Sequence, residues 1–163
     1  MSEYAIFYDW AHPRAGVPTI LLVALGVTVT AAVLYSAWTD IRSMLIMNYV
    51  TLPLIAGGLT AAPFLWEDWA THLIIAGVFG TMLFGFAFVK MRGSYMFGMG
   101  DAKLYLAAAL ILGLGFIPCL LISCITSLAH AAIIQRSMHG KLIMGPHIAF
   151  AIIVMLIVGA VAG

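Results

Sequence analysis

Residues 17–38 read VPTILLVALGVTVTAAVLYSAW, a run without a single Lys, Arg, Asp or Glu. A bilayer asks for that texture, because about 20 apolar residues in a helix cross its ~30 Å hydrocarbon core. The same texture recurs along the chain. Its 163 residues are 64% hydrophobic and 8% charged, and the mean hydropathy of +1.14 exceeds what a soluble core requires. The expected fold is an all-α polytopic membrane bundle of about six transmembrane helices. Its spans lie near 17–39, 48–66, 70–90, 101–114, 116–136 and 146–162, in a single domain covering 1–163. Residues 102–135 also admit a different division, or a short re-entrant piece. No extramembrane domain of useful size remains, so function belongs inside the bundle or at its rim.

Charge placement says more than the net charge of +1. The basic residues are scattered rather than clustered, which argues against nucleic acid as a partner. Before the first span stand Glu3, Asp9 and a single Arg14, unlike the basic start of a secretory signal, so the span is expected to be retained. Arg42, Lys90, Arg92, Lys103, Arg136 and Lys141 all fall on one side of the expected topology. The Glu67-Asp68 turn, the turn near Gly113 and both chain ends fall on the other. The positive-inside rule then puts both termini outside the cytoplasmic (inner) membrane and the basic loops within. Cys119 and Cys124 lie five apart on one apolar segment, so they point to different helix faces and read as packing residues.

Two carboxylates stand out in so apolar a chain: Asp40 in Trp38-Thr39-Asp40-Ile41-Arg42, and Asp101 in Gly98-Met99-Gly100-Asp101-Ala102-Lys103-Leu104. The topology brings both to the cytoplasmic face at the same depth. Carboxyl groups held close cannot both ionise cheaply and share one proton. The protonated member can polarise a peptide carbonyl while the ionised one takes a proton from water, with no metal, cofactor or covalent adduct. Asp40 closes the first span, where the helix dipole disfavours an anion, and Asp101 opens the fourth, where it favours one. On that ground Asp40 is the expected holder of the shared proton and Asp101 the base.

These motifs resemble the type IV prepilin peptidases of the GxGD aspartic protease family, and nearest its short Flp/Tad-type members. Gly98, Gly100, Asp101, Lys103 and Leu104 match the family's Gly-x-Gly-Asp-x-Lys-Leu, while Asp40, Arg42, Ile46 and Asn48 match its Asp, basic stretch and Ile-Pro-Asn. Met47 stands where the proline is usual, and Ser43 to Leu45 lack further basic residues. Gly145-Pro146 resembles the family's entry to the last span. The resemblance implies catalysis by Asp40 and Asp101, with Gly98, Gly100, Lys103, Arg42, Asn48, Gly145 and Pro146 positioning motif or substrate. It implies a membrane endopeptidase that removes the basic leader from prepilin-like precursors of a pilus or related filament, using no cofactor or metal. Larger members carry a cytoplasmic insertion with Cys pairs and also methylate the new N-terminus. No such insertion interrupts this chain, and methylation is not expected.

Plainer roles compete residue by residue. Asp101 could cap a helix after the glycine loop, and Asn48 is expected to cap the second span in preference to binding substrate backbone. Gly98 and Gly100 suit tight or positive-φ backbone. Lys103 cannot face Asp101 from two positions along a helix and is expected to snorkel to the interface. Arg42 reads as a topology determinant, His130 and His147 as satisfied polar groups, and Met91, Met96 and Met99 as adaptable filler. Two other functions remain open. Intramembrane carboxylates serve as relays in small transporters, and a small-residue face such as Gly77 to Gly85 could serve a non-catalytic pilin assembly factor. Asp→Asn changes separate the three.

Overall fold

The computed structural model describes residues 13–91, 94–95, 98–133 and 143–162. Arg92, Met96, Arg136 and Lys141 therefore lie outside the described residues, as do Glu3 and Asp9. Six α-helices are present among those described: α1 (Thr19–Ser43), α2 (Asn48–Leu65), α3 (Trp69–Phe88), α4 (Met99–Leu112), α5 (Phe116–Ile133) and α6 (Gly145–Ala162). A two-residue antiparallel ladder, β1 (Lys90–Met91) with β2 (Ser94–Tyr95), lies between α3 and α4. Helix α1 begins after Pro18, whose fixed φ suits a helix entry. It ends at Met44, which turns left-handed at φ 53° while its N–H bonds Asp40 O at 2.8 Å, a common helix stop.

Helix α4 is the centre of the bundle. Every residue from Ala107 to Leu112 is buried, as are Ala102, Leu104 and Tyr105, and α2, α3 and α6 pack around it. Small residues let the neighbours come close. A Cβ at Gly58 of α2 would stand 2.9 Å from Leu110 Cβ, and one at Gly80 of α3 would stand 2.8 Å from Leu106 Cδ1. Facing outward, Ile20, Phe64, Ile74, Phe88 and Val161 are exposed, an apolar surface that suits lipid and not water.

The expected count of about six full spans is corrected to four or five. By length and composition, Thr19–Ser43, Asn48–Leu65, Trp69–Phe88 and the 35-residue stretch Met99–Ile133 can cross a membrane, and Gly145–Val161 is a shorter apolar helix. The long stretch is not one rod. Tyr105 Oη hydrogen-bonds Ser123 Oγ, whereas eighteen positions along a straight helix would separate them by about 27 Å. The chain folds back at Gly113–Gly115, where Gly113 has φ +52°, a conformation that glycine adopts without a Cβ clash. Helix α4 has 14 residues, about 21 Å of rise, and so falls short of the hydrocarbon thickness by itself. Buried His72 of α3 fills the inside of this turn: its Nδ1 lies 3.0 Å from Leu110 O and its ring stacks on Trp66.

Candidate active site

Four helix ends converge at one end of the bundle. Asp40 lies in the last turns of α1 and is only 8% exposed. Asp101 lies in the first turn of α4, close enough to Asp40 for the two side chains to interact electrostatically. The head of α6 closes the site from a third side, where the Gly145 N–H donates to Asp40 Oδ2 at 2.8 Å. Asn48 opens α2 beside them. The fold thus brings together, at one end of the bundle and on separate helices, the two carboxylates that the sequence singled out.

The motif glycines have a steric purpose here. Gly98 precedes α4 at φ −73° and ψ 133°, and neither it nor Gly100 is among the positive-φ residues. Of the two alternatives expected, tight or positive-φ backbone, the second is corrected and the first is found. What both positions lack is room: a Cβ at Gly98 would stand 2.5 Å from Asp101 Oδ2, and one at Gly100 would stand 2.8 Å from Ile46 Cβ. Gly98 lets the Asp101 carboxyl fold back over the helix start, and Gly100 lets α4 lie against the α1–α2 connection. Asp101 is not the cap, since Gly98 holds that position and makes no side-chain bond.

The remaining positions divide. Asn48 is the first residue of α2 and Met47 is its N-cap, so capping by Asn48 is corrected. Instead the Lys103 Nζ donates to Asn48 Oδ1 at 2.7 Å, which ties α4 to α2 across the site. Lys103 is thus tied to the start of α2 by an exposed hydrogen bond. The Arg42 guanidinium carbon lies 4.7 Å from the Trp38 ring centroid, a cation–π contact one turn back along α1. Pro146 is the second residue of α6, a position where a missing N–H costs the helix nothing. The rings of His130 and His147 meet edge to face at 5.1 Å. Met99 opens α4 and packs against the core, and Cys119 and Cys124 are free thiols.

Two contacts were missed by sequence reasoning. Ile46 is the surface against which Gly100 packs, and the Gly145 amide holds Asp40; the Gly-Pro pair before an apolar run was the signal for a helix head, with nothing to say what it faced. No group of three or more His, Cys, Asp or Glu that could hold a metal ion occurs among the described residues. A cavity of about 840 Å³, lined by Leu22, Gly26, Thr30, Trp66 and Leu156 among others, has neither carboxylate in its wall. It is an apolar groove remote from the chemistry. The model of the type IV leader peptidase family matches residues 27–163. No curated protein and no solved structure matches the chain.

Proposed function

The chain belongs to the type IV leader peptidase family, and we propose that it is an aspartic endopeptidase that cuts the basic leader from prepilin-like precursors at the cytoplasmic membrane surface. One observation carries this reading: Asp40 and Asp101, on different helices, stand at the same bundle end within electrostatic reach of each other. In the reaction the ionised carboxylate takes a proton from water as the water oxygen bonds the scissile carbonyl carbon. The protonated carboxyl gives its proton to the carbonyl oxygen. Collapse of the tetrahedral intermediate breaks the C–N bond: the departing amine takes the proton first removed from water, and the diol returns a proton to the carboxylate that had protonated the carbonyl oxygen.

The substrate enters as a single apolar helix with a short basic extension, its scissile bond extended at the rim because helical backbone offers no accessible carbonyl. Lys103 and Asn48 brace the α2–α4 side, and Gly98 keeps the approach to Asp101 clear. The test is reconstitution in lipid with a candidate prepilin, followed by mass measurement of the new N-terminus. Cleavage ahead of the apolar helix, lost in Asp40→Asn and in Asp101→Asn, is expected. Full activity in either variant would remove the two-carboxylate mechanism.

A further inference from the structure

Helix α6 opens with the same backbone pattern as α1 and α2. The first-turn N–H groups of a helix have no partner within it and must find one elsewhere. Here the N–H groups of His147 and Ile148 both return to Met144 O at 3.0 Å, and Pro146 has none. The Gly145 N–H is a first-turn donor that the helix itself does not claim, and Gly145 is buried. That donor meets Asp40 Oδ2 at 2.8 Å.

The space is as specific as the bond. A Cβ at Gly145 would stand 2.6 Å from Asp40 Oδ2, 2.8 Å from its Cβ and 3.0 Å from its Cγ. Three atoms of one side chain are met at once, and the Asp40 side chain is too short to move aside without leaving the donor. We infer that Gly145 is a positioning residue for Asp40: its bare backbone N–H at the head of α6 fixes the carboxylate, and its missing side chain lets the carboxylate sit there. This deepens the protease reading and rests on it.

The bond also gives the two acids separate tasks. A helix N-terminus attracts an anion, and an N–H donor matches a carboxylate better than a carboxylic acid. The dipole of α1 considered alone pointed the other way, but α6 presents its positive end directly to Asp40. Oδ2 is occupied by Gly145, and among the described residues no other hydrogen bond reaches this carboxylate. Its second oxygen is the one left to take the proton from water, which makes Asp101 the group that gives a proton to the substrate carbonyl.

The test compares Gly145→Ala with Gly57→Ala in the protein reconstituted in lipid. Gly57 is a helical glycine of α2 where an added Cβ meets nothing within 4 Å, so it controls for the general effect of replacing glycine in a helix. In Gly145→Ala, kcat for prepilin cleavage is expected to fall roughly 100-fold with KM within about twofold, as a misplaced reacting group produces, while Gly57→Ala retains wild-type kinetics. Wild-type kcat in Gly145→Ala overturns the inference and leaves the protease reading intact. Should that variant fail to fold, or should wild type cleave no prepilin, amide hydrogen exchange at Gly145 decides. The amide is expected to be protected in the parent protein and to exchange at least tenfold faster in Asp40→Ala; equal rates overturn the inference, whatever the enzyme does.

Discussion

Met47 occupies the place where the resembling peptidases have proline, and its backbone already sits as proline would. Its φ is −77° and its ψ 135°, against the −65 ± 15° that a proline ring imposes, and among the described residues its N–H makes no hydrogen bond. Met47→Pro should therefore keep the fold and raise stability by about 0.4–1 kcal/mol, by restricting the unfolded chain. A denaturant titration in micelles measures this, and a lowered midpoint would show that the connection needs the freedom of methionine. The Lys103–Asn48 contact allows a second test at the same scale. A double-mutant cycle of Lys103→Met and Asn48→Ala should give a coupling of roughly 1 kcal/mol. Zero coupling would mean that the contact is loose. The motif residues Gly98, Gly100 and Asp101 were legible as a unit through the family resemblance. What each glycine avoids was not, since Ile46 and the Asp101 carboxyl reach them only after the chain has folded.

Among the elements, α4 is the one that the rest are built around. Its small and branched side chains were visible as an apolar run, yet the run carried no sign that this helix is central and α1 peripheral. Burial decides that, and burial depends on neighbours. Gly58 lies 2.9 Å, measured from the Cβ it lacks, from Leu110 Cβ. Gly58→Ala should cost about 1–3 kcal/mol through overpacking, partly offset by the better helix propensity of alanine. Adding Leu110→Gly, which removes the Cβ that the new methyl meets, should recover stability relative to the sum of the two single changes. Strict additivity in thermal unfolding would refute the close α2–α4 contact. The described part of the connection from α3 to α4 is a short ladder, Lys90–Met91 with Ser94–Tyr95. Shortening this connection with both carboxylates retained should slow prepilin cleavage, and unchanged turnover would take the connection out of the mechanism.

At the scale of the whole molecule, the ends of α1, α2, α4 and α6 that carry Asp40, Asn48, Asp101 and Gly145 gather together, and the basic residues Arg42 and Lys103 accompany them. The positive-inside rule leads us to propose that this end faces the cytoplasm. A cysteine replacing exposed Ser43 should react with a membrane-impermeant maleimide in inverted vesicles and stay unlabelled in intact cells, in a background lacking the native thiols. Labelling from outside would reverse the orientation. The helical membrane class was determined by the sequence alone, because a bilayer selects length and hydropathy locally and forces backbone polar groups into helices. The candidate carboxylates were equally evident, since charge in an apolar run is conspicuous wherever it folds. The turn that separates α4 from α5 at Gly113–Gly115 was among the expectations, whereas the tertiary structure alone decided that Lys103 grips Asn48 and that the head of α6 holds Asp40. Those contacts join positions distant in the chain, and they exist because of how helices cross and how closely small residues let them approach, which no local pattern encodes.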